Sequence, residues 1–161
     1  SGTIQGLEWS HTVTPVHWLQ WRFTAAVVRG EDADGNIFPM MPADKWKSCL
    51  RLSRKELGPL RDGIFEVNVR HTMEKSIAGA YEPFAQFDSM PFGVASTNDY
   101  TLWGIVLGAD LPVKGQIFSW RIVVDNLTDT DYRDFLDTYK GYTLGMGRNI
   151  KMSLAVPLHF Q

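Results

Sequence analysis

Hydrophobic and polar residues alternate with a period of two along much of this chain. The clearest alternation covers residues 149–160, where Ile150, Met152 and Leu154 are separated by polar or small neighbours. In an extended chain successive side chains point to opposite sides, so a period of two gives each side its own character. The segment is therefore predicted to be a β-strand with one apolar face and one mostly polar face.

The same alternation recurs in six further segments of the chain. Aromatic and β-branched residues are frequent in them, as is typical of strands. No segment between them has the periodicity of a long helix. We therefore expect seven strands in total, and the six additional segments are 3–13, 19–27, 46–55, 65–72, 103–109 and 118–125.

The segments that connect these strands alternate between short and long. The short ones are 14–17, 58–63 and 112–115, and each contains the Pro or Gly of a tight turn. The long ones are 30–45, 75–98 and 128–147. Short turns at one end of the strands and long loops at the other are typical of transmembrane β-barrels, with the turns periplasmic and the loops extracellular. The predicted fold class is therefore all-β, an antiparallel transmembrane β-barrel segment of about seven strands.

Aromatic residues make up 12 % of the chain and lie mostly near the ends of the predicted strands. Amphipathic rings favour the two membrane interfaces, so this placement predicts two aromatic girdles. Aromatic packing inside a soluble core is the alternative interpretation. The predicted periplasmic girdle consists of Trp18, Phe65, Phe118 and Phe160, and the outer girdle of Trp46 and Tyr100.

Composition and short motifs exclude several classes of protein. The 16 Lys and Arg residues against 18 Asp and Glu give a net charge of −2, which does not indicate a nucleic-acid partner. No uninterrupted apolar run of about 18 residues exists, which excludes a helical membrane anchor. The only cysteine, Cys49, has no partner for an internal disulfide. Nucleophile, phosphate-loop and zinc-protease motifs are absent, so we expect a protein that is not an enzyme.

Two acidic segments were candidates for metal binding. The segment 32–36 (DADGN) lacks the distal glutamate of a calcium loop, so a solvated loop with an Asp-Gly turn is favoured. In the second segment apolar residues recur at helical spacing, which predicts a short amphipathic helix capped near Thr130. Its acids are Asp125, Asp129, Asp131, Asp134 and Asp137, and its apolar residues are Tyr132, Phe135, Leu136 and Tyr139.

Histidines do not change this picture. They are scattered over different strands and turns, without the close spacing that two ligands of one metal usually have. We therefore expect neither a metal site nor a cofactor. The four histidines are His11, His17, His71 and His159.

Three segments near the C-terminus resemble a known family. They are 120–129 (WRIVVDNLTD), 132–134 (YRD) and 145–149 (GMGRN), and the segments 39–42 and 99–102 are similar to the same family. Together they resemble the closing part of the barrel of TonB-dependent receptors in the outer membrane of Gram-negative bacteria. Such receptors are barrels of about 22 strands with a plugged lumen. The resemblance implies that residues 1–161 are the C-terminal portion of such a barrel, its last seven strands, without the plug and the earlier strands.

The same resemblance implies a function and a set of partners. It predicts a receptor that imports a scarce nutrient by TonB-coupled active transport, such as a ferric siderophore, cobalamin, zinc, haem or carbohydrate. The TonB complex would act through the plug, and the other partners would be the remaining strands, outer-membrane lipid and the barrel-assembly machinery, which would recognise the aromatic Phe160. Substrate contacts are expected in the long loops and outer lumen, at Arg70, His71, Phe84, Phe87, Phe92 and Tyr139.

The polar faces of the predicted strands carry charges of both signs. These residues fit a polar lumen that either contacts a plug through ion pairs or attracts an anionic chelate. A small soluble β-barrel that binds an apolar ligand, and an outer-membrane barrel without a transport cycle, are the rival interpretations. The charged residues are Arg22, Arg51, Arg70, Arg121 and Lys151, with Glu8, Glu66 and Asp125.

Overall fold

Seven antiparallel strands form one sheet in the computed structural model of this chain, which describes residues 1–38, 40–75, 96–137 and 139–156. Each strand pairs with its neighbours in sequence, in the order β1-β2-β3-β4-β5-β6-β7. The all-β prediction and all seven predicted strands are confirmed. The strands are β1 (Gly2–Val16), β2 (Leu19–Asp32), β3 (Lys45–Leu57), β4 (Leu60–Thr72), β5 (Tyr100–Val113), β6 (Gln116–Asp125) and β7 (Asn149–Ala155).

Three hairpins are closed by turns of only two residues, shorter than the sequence predicts. The turns are 17–18, 58–59 and 114–115, because Val16, Leu57 and Val113 already pair with the strand that follows. Lys114 and Gly115 both have positive φ angles of 48° and 82°. Two successive positive values are what a type I′ hairpin turn requires, and its twist matches that of the flanking strands.

Two of the strands, β1 and β4, contain bulges near the strand ends that carry the two-residue turns. The β1–β2 register shifts between Val13 and Val16, where Pro15 has no N–H to donate to the ladder. The β4–β5 register shifts between Arg61 and Ile64, where Asp62 has a φ of 47°. An extra residue on one strand increases the local twist and bends the sheet.

The register places most large apolar side chains of the seven strands on one side of the sheet. Residues that face each other across a ladder share a side, as Leu50 and Val67 do, or Leu107 and Ile122. We call this side the apolar face. Its large members include Leu7, Trp9, Trp21, Phe23, Trp46, Leu50, Phe65, Trp103, Leu107, Trp120, Ile122, Met152 and Leu154.

The other side of the sheet is the polar face. The register brings together on it every charged residue that the sequence placed there, which confirms the predicted alternation. Its members include Glu8, Arg22, Lys47, Arg51, Glu66, Asn68, Arg70, Arg121, Asp125 and Lys151. Among the described residues few side chains are buried, and the buried side chains of the strands lie mostly on this face, such as Cys49, Tyr100, Leu102 and Val106.

Tyr100 corrects one prediction. The residue lies on the polar face opposite Thr72 and is only 6 % exposed, because the loop after β6 covers it. It therefore does not belong to an outer aromatic girdle. Trp46 does lie on the apolar face. Its ring stacks on Phe23 with the ring centroids 6.1 Å apart and contacts His71 with the centroids 5.5 Å apart. Among the described residues, no helix is long and apolar enough to cross a membrane.

Gly104 is required where β5 passes Asn68 on the polar face. A Cβ atom at Gly104 would stand 2.9 Å from the side-chain amide of Asn68. We expect Gly104→Ala to lower the free energy of unfolding by about 1–3 kcal/mol, since the crowded neighbour must move. Chemical unfolding would measure the loss, and Asn68→Ala in the same chain should restore most of it.

Gly6 provides the matched control for this substitution. It also lies on the polar face, but the nearest atom to an added Cβ is 3.4 Å away, which is ordinary contact. Gly6→Ala should therefore be close to neutral. Equal losses for the two alanine variants would contradict the close approach of β5 to Asn68.

Candidate functional site

The loop after β6 folds back over the polar face and is held there by Asn126. The side chain of Asn126 accepts a hydrogen bond from the Thr130 amide at 2.9 Å and donates to the carbonyl oxygens of Thr130 at 2.9 Å and Met146 at 3.2 Å. Asn126 is 5 % exposed and has a φ of 50°, a conformation that asparagine tolerates better than most residues. One side chain thus fixes both ends of the loop.

Asp129 makes the second connection between the two ends of this loop. Its carboxylate accepts a hydrogen bond from the Arg148 amide at 2.7 Å, and the Arg148 guanidinium lies 3.9 Å away. A Cβ atom at Gly147 would stand 3.0 Å from the same carboxylate, so a side chain there would crowd it. The Asn-Leu-Thr-Asp and Gly-Met-Gly-Arg-Asn segments are therefore two halves of one hydrogen-bonded structure.

Tyr132 fastens the middle of the loop to β5. Its ring packs against Tyr100 with centroids 4.6 Å apart, and the Tyr100 hydroxyl donates to Asp134 at 2.9 Å. Gly145 lies directly against the Tyr132 ring. A Cβ atom at this position would overlap the ring, so no larger residue fits there. The backbone amide of Gly145 also donates to the Tyr132 carbonyl oxygen at 2.7 Å.

The predicted helix near Thr130 is wrong for the described part of this loop, which contains turns and irregular structure instead. Asp134 and Asp137 accept hydrogen bonds from the amides of Leu136 and Tyr139, two residues further on in each case. Such local bonds compete with helical hydrogen bonding. The four apolar residues do not share a face either, since Phe135 is 2 % exposed and Tyr139 is 66 % exposed.

Cationic side chains hold the far end of the loop together. Arg133 donates through Nη1 to the carbonyl oxygens of Lys140 and, at 3.1 Å, of Thr143. The Lys140 ammonium lies 4.0 Å from the Phe135 ring centroid and donates to the Phe135 carbonyl oxygen at 2.8 Å. These bonds satisfy carbonyl groups that a turn leaves without backbone partners, so the loop has a defined shape without regular secondary structure.

A depression of about 320 Å³, which we call the main depression, lies between this loop and the polar face. Its volume falls within the range of small-molecule sites. Two cationic side chains, an amide and the carboxylate of Asp125 lie on its strand side, and an aromatic ring and a thioether lie on its loop side. Its lining includes Lys47, Asn68, Arg70, Leu102, Asp125, Asn126, Tyr132 and Met146.

The structure separates the predicted site residues. Arg70 lines the depression, whereas its neighbour His71 lies on the apolar face, where its Nδ1 is 2.9 Å from the Thr101 hydroxyl. Tyr139 is exposed on the loop, outside the lining of the depression. The remaining predicted residues lie outside the described residues, and they are Phe84, Phe87, Phe92 and the assembly-signal residue Phe160.

Of the residues that line this depression, Arg70 alone was predicted as a site residue, and those not predicted include Lys47, Asn68 and Tyr132. A signal for one of them was available, because the two-residue turn at 58–59 brings residues equidistant from it face to face. Lys47 and Arg70 are such a pair. The approach of Tyr132 depends on the loop conformation, which no local pattern in the sequence specifies.

The two acidic segments form turns and ion pairs. Asp32 accepts hydrogen bonds from the amides of Asp34 and Asn36, both at 2.9 Å, as an Asx-type turn does. Gly35 has a φ of 82°, which fits the predicted Asp-Gly turn. Within the ranges that the structure describes, no group of three or more His, Cys, Asp or Glu side chains is arranged to hold a metal ion.

A second depression, of about 360 Å³, lies at the start of β1 and the end of β2. It is next to the ion pair of Arg29 and Asp44. Two hydrogen bonds of 2.5 Å join the guanidinium to the carboxylate. Hydrogen bonding by Arg29 lowers the pKa of Asp44 below its ordinary value, and the nearby positive charges add to this effect. The bidentate pair anchors the loop between β2 and β3 to the end of β2.

This ion pair predicts a pH-dependent contribution to stability. Because the pKa of Asp44 is lower in the folded state, the contribution is fully present above the unfolded value of about 3.9 and is lost as pH falls through the folded pKa. Asp44→Asn should therefore be less stable than the parent at pH 7 and should approach it in acid. Unfolding curves measured from neutral to acidic pH test this.

Asp34→Asn is the matched control for Asp44→Asn, since Asp34 is an exposed acid of the same loop. Its stability should follow that of the parent over the whole pH range. A constant difference between Asp44→Asn and the parent at every pH would show that the carboxylate charge is not the source of the stabilisation.

No protein-family model, curated protein or solved structure matches this chain significantly. The chemistry of the main depression is therefore defined by its own lining. Lys47 and Arg70 provide positive charge, Asn68 provides an amide, and Tyr132 provides a ring and a hydroxyl. This combination suits a small, partly anionic molecule.

Proposed function

We propose that this chain forms part of the membrane-spanning barrel of a TonB-dependent receptor in the bacterial outer membrane, which imports a scarce nutrient such as a metal chelate. The observation that carries the proposal is the exposed apolar face of the sheet. Leu7 is 66 % exposed, Met152 76 % and Leu154 66 %, all on the same side. Monomeric soluble proteins rarely expose such a continuous apolar surface, whereas a barrel in lipid presents one around its whole circumference.

Polar atoms on the apolar face support the same proposal. The indole N–H of Trp21 donates to the Ser48 hydroxyl at 2.9 Å, and His71 shares a hydrogen bond with Thr101 at 2.9 Å. Both pairs lie on the apolar face, so these polar groups are satisfied without water. In hydrocarbon a polar group must find its hydrogen-bond partner within the protein, because leaving it unpaired costs roughly 2–7 kcal/mol.

The sorting of the connections is a third observation in favour. All three two-residue turns lie at one end of the strands, and the three longer connections lie at the opposite end. In outer-membrane barrels the longer loops face the exterior and contact substrate. The main depression lies near the strand ends that carry the long loops, beneath residues 126–148. There an incoming substrate would meet the polar face.

Solubility of the chain tests the membrane part of this proposal. We expect the purified chain to remain folded and monodisperse only in detergent micelles or phospholipid vesicles. Strand content by circular dichroism and the sedimentation profile would be measured with and without detergent. A cooperatively folded monomer in detergent-free buffer would overturn the proposal in favour of a soluble β-barrel that binds an apolar ligand.

Nutrient uptake tests the transport part. A strain lacking the gene should grow more slowly when one nutrient is limiting, and the panel should cover ferric siderophores, haem, cobalamin, zinc and carbohydrates. The same defect should appear when the TonB complex is inactivated and should not increase in the double mutant. Normal growth on every limiting nutrient would favour a barrel without a transport cycle.

A further inference from the structure

Lys47 and Arg70 place two positive charges directly opposite each other on neighbouring strands. They are cross-strand partners in the β3–β4 ladder, and both side chains are exposed on the polar face. Like charges in this position destabilise a sheet, so the arrangement has a cost that the fold does not require. Four residues further along β3, Arg51 faces Glu66, an arrangement with opposite charges.

The nearby acids of the described residues are engaged elsewhere. Asp125, which also lines the depression, pairs with the Lys151 ammonium at 2.9 Å. Asp134 accepts the hydroxyl of Tyr100 at 2.9 Å. Within the described ranges, neither Lys47 nor Arg70 forms an ion pair.

The surroundings of the two cations are suited to a ligand. The lining of the depression of about 320 Å³ also includes Asn68, two residues before Arg70 on the same face of β4, and Tyr132 from the loop after β6. A guanidinium binds an oxyanion through two parallel hydrogen bonds, and an ammonium adds a point charge. A bound anion would also remove the repulsion between the two cations.

We infer that Lys47 and Arg70, with Asn68 and Tyr132, form a binding site for a small molecule that carries oxyanion groups, either carboxylate or phosphate. The inference deepens the proposed function, on which its role in uptake rests, because it assigns a charge class to the imported substrate. The Tyr132 ring would cover the apolar part of the molecule. The loop anchored by Asn126 and Asp129 keeps this ring in place before the ligand arrives.

Calorimetric titration of the full chain in zwitterionic detergent micelles tests the inference, with citrate and inorganic phosphate as probes. Citrate binding alone would assign carboxylate chemistry, and phosphate binding alone would assign phosphate chemistry. Lys47→Gln and Arg70→Gln should each weaken binding by about ten-fold or more, since each removes a charge-assisted hydrogen bond. Triethyl citrate, the uncharged ester, should not bind.

Arg51→Gln is the matched control, because Arg51 lies on the same strand and face but opposite an acid. Its affinity should stay within about two-fold of the parent. Binding of neither probe, or an equal loss in Arg51→Gln, would overturn the inference, the latter because it would indicate only general attraction to a basic surface. Thermal unfolding gives a second readout: the probe that binds should raise the melting temperature of the parent and Arg51→Gln, but not of the double variant Lys47→Gln/Arg70→Gln.

These outcomes separate the inference from the proposed function. A chain that requires detergent but binds neither probe would contradict the anion site alone. A chain that folds without detergent yet binds citrate through Lys47 and Arg70 would contradict the membrane proposal and support the site.

Discussion

Replacing Leu154 with arginine is expected to destabilise the folded chain in phospholipid vesicles by about 2–4 kcal/mol, the cost of a cation on the lipid face near the bilayer midplane. Leu154 lies on the apolar face opposite Trp120, level with the middle of β6, and its side chain is 66 % exposed. Because most of this side chain is exposed, little packing against neighbours such as Trp120 would be lost. The effect would therefore report on the surroundings of this face, and denaturant unfolding followed by tryptophan fluorescence would measure it.

Ser153→Arg is the control that makes this experiment specific. Ser153 is the preceding residue, is also exposed, and points to the polar face, where Arg121 lies opposite. Arginine at this position should change stability by no more than about 0.5–1 kcal/mol, including repulsion from Arg121. If the two variants were equally stable, the apolar face would not contact hydrocarbon.

The second large effect is expected at Asn126. Asn126→Ala removes three hydrogen bonds and places alanine at a φ of 50°, where asparagine is better tolerated. Hydrogen bonds contribute about 0.5–1.5 kcal/mol each, so we expect a loss of roughly 2–4 kcal/mol. Hydrogen exchange should increase in the loop of residues 126–148, because its two ends would lose the connection through Asn126 and keep that through Asp129.

Two further substitutions at this position separate the causes. Asn126→Gly relieves the backbone strain but lacks the side chain, so it should recover only a minor part of the loss. Asn126→Asp keeps the acceptor for the Thr130 amide and loses both donor bonds. A fully stable Asn126→Gly variant would mean that the backbone conformation, and not the side-chain hydrogen bonds, explains the asparagine.

The strands could be predicted from the sequence because their periodicity is local. In β6 the residues Phe118, Trp120, Ile122 and Val124 are each two positions apart, and the same rule assigns the faces of all seven strands. The same alternation applies to Tyr100. It is three positions before Trp103, which places the two side chains on opposite faces, so nearness to the strand end does not by itself put a ring on the apolar face.

The site could be predicted only in part, because its contacts join residues far apart in sequence. Arg70 was predicted, but Tyr132 reaches the depression only because Asn126 bonds to Met146 and Asp129 to Arg148. The apolar spacing of 132–139 indicated a helix, which competing Asp side chains prevent. The stagger of the strands was also not encoded locally: Lys45, the first residue of β3, faces Ala26, six residues before the end of β2.

The pairing of every strand with its neighbour in sequence has a consequence for how the sheet can assemble. Each two-residue turn lets a hairpin form with almost no loop to close. The ladders between hairpins must close longer loops, but the entropic cost of a loop of n residues grows only as about (3/2)RT ln n. The ladders β1–β2, β3–β4 and β5–β6 can thus form as three independent nuclei that join afterwards. Since the joining loops set no register within a hairpin, their length and sequence can diverge between homologues while the hairpins stay the same.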